Sequence, residues 1–312
     1  RTHVTPLTDS EINYCINDIQ IILAYINEQI EIYGNVSQIP NTNTGRVRKF
    51  VRDNCFYKQA NGKKGGFRQY AKYHKVMQDL TLDNDTYKQL KRAFMGGFTH
   101  ANANYTGKVL NDVTSIDFTS SYPSVMLSEK FPMSRFKPVK VKTIKELEKI
   151  LARHAVIFDV QFINIKPRIT QETYLSESKC RNVINPVINN GRIFSADSIT
   201  TTLTEIDYSI MKQCYTWENI AVSNVKYAIK NYLPKPIIFS VLDLYQKKTE
   251  LKDVAGYEVE YLLSKGMLNS IYGMTVTDIV KPLITYVKDW GMETLNLADE
   301  ITKYNESKNR FL

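Results

Sequence analysis

The 312-residue sequence predicts an α+β protein in which helical segments at both ends bracket a central block of strands. Three observations lead there. Apolar residues recur at helical spacing near the N-terminus and again from Phe239 to Ile271. Between them, Val156–Ile165, Ile199–Leu203 and Ile220–Tyr227 are short runs rich in β-branched and aromatic residues. The hydrophobic fraction of 43% and the aromatic fraction of 11% are those of a chain that packs a core.

Taken in order, Thr8-Asp-Ser-Glu11 has the form of a capping box, because the Thr hydroxyl and the Glu carboxylate can each satisfy an orphan backbone N–H. Ile12, Cys15, Ile16, Ile19, Leu23, Ile26 and Ile30 then continue at helical spacing, and Gly34 supplies the stop. Asn35 to Gly66 is polar, with loops expected at Asn41-Thr-Asn-Thr-Gly45 and Asn61-Gly-Lys-Lys-Gly-Gly66. Residues 84–95 predict a helix ending at Gly96-Gly97. Val113–Phe118 reads as a strand and Tyr122–Ser128 as a helix with Pro123 in its first turn. A short helix is expected over Ile144–His154. Among the three central strands, a helix at Glu205–Cys214 completes a small α+β unit. Pro234 and Pro236 punctuate the chain, and helices at Phe239–Leu251 and Tyr257–Ile271 follow, joined around Gly256. The last segment is mixed, and the sequence holds no internal repeat or low-complexity tract.

Composition bounds the function. A net charge of +9 favours a polyanionic partner, of which nucleic acid is the commonest. No apolar run approaches the roughly 18 residues that a bilayer-spanning helix needs, and no signal-peptide pattern is present. The sequence opens on Arg1 without an initiator Met, so it is expected to be a fragment or a processed product. Cys15, Cys55, Cys180 and Cys214 are far apart and form no Cys-x-x-Cys pair, which reads as reduced thiols. The four histidines are equally scattered and suggest no metal site.

Two segments carry chemistry. Ser115-Ile-Asp-Phe-Thr-Ser-Ser-Tyr-Pro-Ser-Val-Met126 places a carboxylate before a hydroxyl-rich turn and a helix start. Asp117 suits Mg²⁺, a hard ion that prefers oxygen ligands and substrate phosphates. The backbone N–H groups of Ser120 to Tyr122, at a helix N-terminus, suit phosphate oxygens. The pattern alone fits equally a strand leading into a capped helix with Asp117 solvated. In Lys265-x-x-x-Asn269-x-x-Tyr272-Gly273, positions i, i+4 and i+7 share one helix face. Lys265 suits phosphate charge and Tyr272 base stacking, while Lys247, Lys248 and Lys252 add charge on the preceding helix. An ordinary amphipathic helix with a snorkelling Lys reads the same way.

Together the segments resemble, in the correct order, the Asp-x-x-Ser-Leu-Tyr-Pro-Ser and Lys-x-x-x-Asn-Ser-x-Tyr-Gly motifs of family B DNA polymerases. Ser121 stands where the family usually has Leu. Tyr14-Cys-Ile-Asn-Asp18 resembles the last motif of the family's 3′–5′ exonuclease, and Phe94-Met-Gly-Gly97 its Tyr-x-Gly-Gly motif, with Phe for Tyr. The long gap between Asp117 and Lys265 is similar to the protein-primed bacteriophage subgroup, where an inserted region contacts a terminal protein.

This resemblance implies a partial right-hand fold of palm and fingers with an inserted α+β unit and the C-terminal helix of an exonuclease domain. It divides the chain into 1–35 (exonuclease), 36–135 (connection and palm), 136–235 (terminal-protein-region-like insertion), 236–276 (fingers) and 277–312 (start of a second insertion). It implies two Mg²⁺ ions in the full-length enzyme, held at the polymerase centre by Asp117 and the Phe118 carbonyl. Tyr122 packs under the sugar, Lys265 assisted by Lys247 neutralises triphosphate, and Ser120, Ser121, Asn269, Tyr272 and Gly273 shape the nucleotide site. Phe94, Gly96 and Gly97 contact DNA, and Tyr14 and Asp18 serve the exonuclease, Asp18 as a metal ligand. The implied partners are primer–template DNA, deoxynucleoside triphosphates and a terminal protein, with no membrane, in the cytoplasm of an infected bacterial host. The sequence contains no second palm motif of the Tyr-x-Asp-Thr-Asp type, so the chain is not expected to polymerise by itself. Two alternatives remain from the residues: a non-catalytic module that binds nucleic acid or terminal protein, and a metal-dependent nuclease using Asp18.

Overall fold

A computed structural model describes residues 6–57, 66–99, 105–168 and 173–278, with the backbone of 283–286 and 292–295. Helix α1 (Asp9–Tyr33) starts at the expected capping box. The Thr8 side chain accepts from the Glu11 N–H, the Glu11 carboxylate accepts from the Thr8 N–H at 2.8 Å, and Gly34 ends the helix at φ 90.

The polar stretch after it is not the loop that its composition suggested. Thr42 Oγ1 accepts from the Gly45 N–H at 3.0 Å, so Asn41-Thr-Asn-Thr-Gly45 is the start of helix α2 (Asn43–Phe56). The Asn and Thr residues read as loop formers there are cap formers, which use the same side-chain-to-backbone bonding. Of the second expected loop, Asn61–Gly65 lies outside the described residues. Helix α3 (Phe67–Asp79) begins directly after Gly66, and α4 (Asn84–Ala93) is capped by Asp83, whose carboxylate accepts from the Thr86 N–H at 2.8 Å.

The segment 113–118 is a second correction. It forms no strand: Val113, Ile116 and Phe118 are 71%, 88% and 82% exposed, and no neighbouring strand pairs with them among the described residues. A strand exists by pairing, and β propensity without a partner leaves the chain extended and solvated. Helix α5 (Ser121–Ser128) follows with Pro123 in its first turn.

The central unit is an antiparallel sheet. Short β1 (Phe131–Pro132) pairs with β9 (Lys230–Asn231) at its base, and β2 (Lys137–Pro138) pairs with β8 (Asn219–Ala228). The main order is β2-β8-β3-β6-β4, where β3 is Ala155–Pro167, β6 is Arg192–Thr204 and β4 is Cys180–Ile184. Strands β5 (Val187–Asn189) and β7 (Tyr215–Thr216) extend β6 and β3. Alternation along β3 divides the faces. Phe158 and Phe162 lie in the apolar core with Leu147 of α6 (Ile144–Leu151) and Tyr208 and Met211 of α7 (Glu205–Cys214). The intervening Asp159 and Gln161 belong to the opposite, polar face, which α4 approaches.

A separate core joins α2, α5, α8 (Lys235–Glu250) and α9 (Glu258–Thr275). Val47 and Val51, Met126, Val241 and Leu244, and Leu268 and Ile271 supply its buried side chains. Beyond α9, strands β10 (Leu283–Tyr286) and β11 (Met292–Leu295) form an antiparallel pair. No described helix is long and apolar enough to cross a membrane.

Candidate active site

Packing of α5 and α8 against α9 brings the two chemistry-bearing segments together. Met126 of α5 and Leu268 and Ile271 of α9 are buried in one core, which holds the outer faces of these helices in register. The rings of Tyr122 and Tyr272 therefore stack with centroids 4.2 Å apart and planes at 24°. Burial raises the pKa of the Tyr272 phenol, and the neighbouring Tyr122 adds to the shift.

Ser120 is the turn on which this arrangement depends. It caps α5 in the left-handed region (φ 50, ψ 50) without a side-chain cap bond. A non-glycine residue there is strained by about 1 kcal/mol or more. The turn is held from both sides: its carbonyl accepts from the Ser124 N–H at 2.9 Å and the Ser124 hydroxyl at 3.0 Å. Lys248 of α8 donates to Ser120 Oγ at 3.0 Å. The Ser121 and Tyr122 amides thus open a helix N-terminus to which a lysine is attached.

Asp117 and Phe118 precede this turn and are exposed. They offer a carboxylate and a backbone carbonyl, the hard oxygen donors a divalent ion prefers. Among the described residues no group of three or more His, Cys, Asp or Glu side chains converges. These residues fit part of a coordination sphere and not a complete one.

On α9, Lys265 and Asn269 are exposed and Tyr272 is half-buried, with the Lys265 ammonium 6.0 Å from the Tyr261 ring centroid. The close approach at Gly266, where an added Cβ would lie 3.3 Å from Asn43 Nδ2, sets α9 tightly on α2. Lys247 turns away from the Ser120 turn: it pairs with Asp243 at 3.2 Å and lies 5.7 Å from the Phe50 ring centroid. Lys248, and not Lys247, is the lysine that bonds the Ser120 turn. Its spacing carries a signal, because it continues the buried Val241 and Leu244 stripe by seven and four residues.

Phe94 is half-exposed at the end of α4, and Gly96 and Gly97 continue from it. A Cβ on Gly97 would sit 3.6 Å from Tyr122 Oη, so this segment runs alongside the tyrosine stack. Tyr14 and Asp18 lie on α1, both exposed and one helical turn apart.

Comparisons with known proteins identify the family and the fold. The family model described as DNA polymerase type B, organellar and viral, matches residues 2–312. The DNA polymerase of Bacillus phage Nf is 25% identical over 234 residues, 73% of this chain and 37% of the relative. That of Bacillus phage phi29 is 25% identical over 243 residues, 74% of this chain and 38% of the relative. The chain thus spans less than two-fifths of the length of the curated relatives it matches. Among solved structures, phi29 DNA polymerase with primer–template DNA and incoming nucleotide superposes over 95% of this chain and 46% of that one, at TM-score 0.62 and 18% identity. Its complex with single-stranded DNA gives TM-score 0.59 at 19% identity, again over 95% and 46%. At that identity the superposition speaks for the fold, while the family match covers nearly the whole sequence: the chain belongs to the type B DNA polymerases of organelles and viruses.

Proposed function

We propose that this chain is the nucleotide-binding part of a protein-primed, phage-type DNA polymerase that extends DNA on a template. The observation that carries the reading is the Tyr122–Tyr272 stack, which joins two motif residues separated in sequence by the whole inserted unit. An aromatic floor beside a helix N-terminus and lysine side chains is a surface for a nucleoside triphosphate. Ser120, Ser121 and Tyr122 orient the phosphates through backbone N–H groups, and Lys265 neutralises their charge. Tyr122 packs under the sugar, and Asn269, Tyr272 and Gly273 bound the space for the nascent base pair. Asp117 and the Phe118 carbonyl would hold a divalent ion, which when bound supplies electrostatic stabilisation of the transferring phosphoryl group. Phe94, Gly96 and Gly97 contact the template strand. Tyr14 and Asp18 belong to a 3′–5′ exonuclease, and the sheet unit receives the terminal protein, a reading supported by its place between the motifs. With a single carboxylate at the centre, the 312 residues alone do not polymerise.

The test is Asp117→Ala in the full-length polymerase, assayed by single-nucleotide extension of a primer–template. A loss of at least about a hundredfold, roughly 3 kcal/mol of transition-state stabilisation, is expected. Undiminished synthesis would replace the catalytic reading with that of a non-catalytic binding module.

A further inference from the structure

Helix α4 meets the inserted sheet through polar side chains. Its buried stripe is Thr86, Gln89 and Ala93, and Gln89 Nε2 donates to the Asn224 carbonyl of β8 at 2.8 Å. Lys226 of β8 pairs with Asp85 in the first turn of α4. At the other end, Arg92 reaches Asp159 of β3, Nη2 to Oδ2, at 3.5 Å and Thr202 Oγ1 of β6 at 3.4 Å.

Asp159 is almost buried, its side chain 10% exposed. Thr202 Oγ1 donates to it at 2.6 Å and Asn224 Nδ2 at 2.8 Å. Arg181 of β4 approaches the same carboxylate at 3.3 Å and the same Thr202 hydroxyl at 3.3 Å. Burial raises the pKa of Asp159, but the Asn224 and Thr202 hydrogen bonds and the two guanidinium charges outweigh it and leave the group below its ordinary value. Two arginines therefore bind one carboxylate. Arg181 belongs to the sheet, and Arg92 belongs to the helix that leads two residues later into Phe94-Met-Gly-Gly97.

The chain after α4 stays on the sheet unit. Met95 packs against its core, the Phe98 ring lies 5.9 Å from Tyr174, and the Arg192 guanidinium stands 4.6 Å from the Phe98 centroid. Gly96 and Gly97 are thus held at both ends by the inserted unit while Gly97 faces Tyr122. A polar contact of this kind fixes orientation more strictly than an apolar one, because each hydrogen bond and ion pair tolerates little displacement.

We infer that Asp159 is a positioning residue acting through Arg92. The inserted sheet clamps α4 and thereby sets Phe94–Gly97 in the place from which it engages the DNA beside the nucleotide site. The inserted unit is then part of the machinery that grips primer–template, in addition to whatever partner it receives. This inference rests on the reading of Phe94–Gly97 as a DNA-contacting segment.

The test compares Arg92→Met with Arg181→Met in the full-length polymerase. Both remove one positive charge and one ion pair to Asp159, so general electrostatics and loss of stability are shared. Fluorescence anisotropy gives the Kd for a labelled primer–template duplex, and single-nucleotide extension at saturating duplex gives the KM for the incoming nucleotide. Arg92→Met is expected to raise the duplex Kd at least threefold more than Arg181→Met does, with the nucleotide KM unchanged. Asp85→Ala, which removes the exposed partner of the buried Lys226 at the other end of α4, provides a second variant that should weaken duplex binding in the same direction, with thermal unfolding as the check that it is folded. Equal Kd values for the two arginine variants, with Asp85→Ala indistinguishable from wild type, would overturn the clamp while leaving the polymerase reading intact. A wild-type polymerase that does not bind the duplex would overturn both.

Discussion

Replacing Tyr272 tests the tyrosine stack directly. The ring lies 4.2 Å from that of Tyr122 in a stacked arrangement, and its helix is anchored by the fully buried Leu268 and Ile271. Stacked aromatic pairs contribute about 0.5–1.5 kcal/mol beyond the area they bury. Tyr272→Leu keeps an apolar side chain but removes the stack, so Tyr122 loses that amount of restraint. If Tyr122 must be in place for the sugar to dock, the loss emerges as a rise of about 2- to 12-fold in the nucleotide KM, by the conversion of about 1.4 kcal/mol per factor of ten. Tyr272→Phe keeps the stack and removes only the hydroxyl, so its KM should stay within about twofold of wild type. Steady-state single-nucleotide extension by the full-length polymerase reads both variants, with thermal unfolding as a check that α9 is intact. If Phe is as damaging as Leu, the hydroxyl and not the ring contact is what matters, and the stacking argument fails.

Other consequences are open to measurement. Leu268→Ala empties a fully buried position between α2, α8 and α9, and should cost about 2–5 kcal/mol in denaturant unfolding. A loss below about 1 kcal/mol would mean that the helices repack. Asp159 has a folded-state pKa below its unfolded value, so its stabilising contribution is present above the unfolded pKa, near 3.9, and is lost as pH falls through the folded one. The stability gap between wild type and Asp159→Asn should therefore be full at pH 6 and narrow below about pH 4; a gap independent of pH would contradict the depressed pKa. Burial pushes the Cys55 thiol up to about 11 and, with Glu177 adding to burial, Cys180 up to about 12, while Cys15 is exposed. Iodoacetamide at pH 8 should label Cys15 and spare Cys55 and Cys180 until the protein is unfolded, as mass spectrometry would show.

Local signals carried much of the structure. The capping box at Thr8 and the left-handed glycine at Gly34 delimit α1 within the sequence that forms it. The helix predicted over Glu205–Cys214 has those bounds because Thr204 and Asp207 cap each other, a bond between residues three apart. The three central strands and the helices α8 and α9 were legible for the same reason: their periodicities of two and 3.6 residues are properties of the chain alone. The motif residues on α5 and α9 were equally visible, since each motif is contiguous.

What could not be read in this way depends on partners distant in sequence. Asn41–Gly45 has loop composition and becomes a helix start because Val47 and Val51 of the helix it opens find a core in α8 and α9. Val113–Phe118 has strand composition and remains unpaired, since a strand needs hydrogen-bonding neighbours that propensity does not supply. Lys247 and Lys248 are adjacent and chemically equal. Lys247 meets Asp243 one turn back on its own helix, a local pair, whereas only the packing of α8 against the core brings Lys248 to Ser120. Asp159 sits among apolar strand residues, and its role depends on Arg92 and Arg181 arriving from α4 and β4. Caps, turns and motifs act over three or four residues and are written in the chain; charge pairing and strand partnership are decided by packing, which sums contacts that no local window contains.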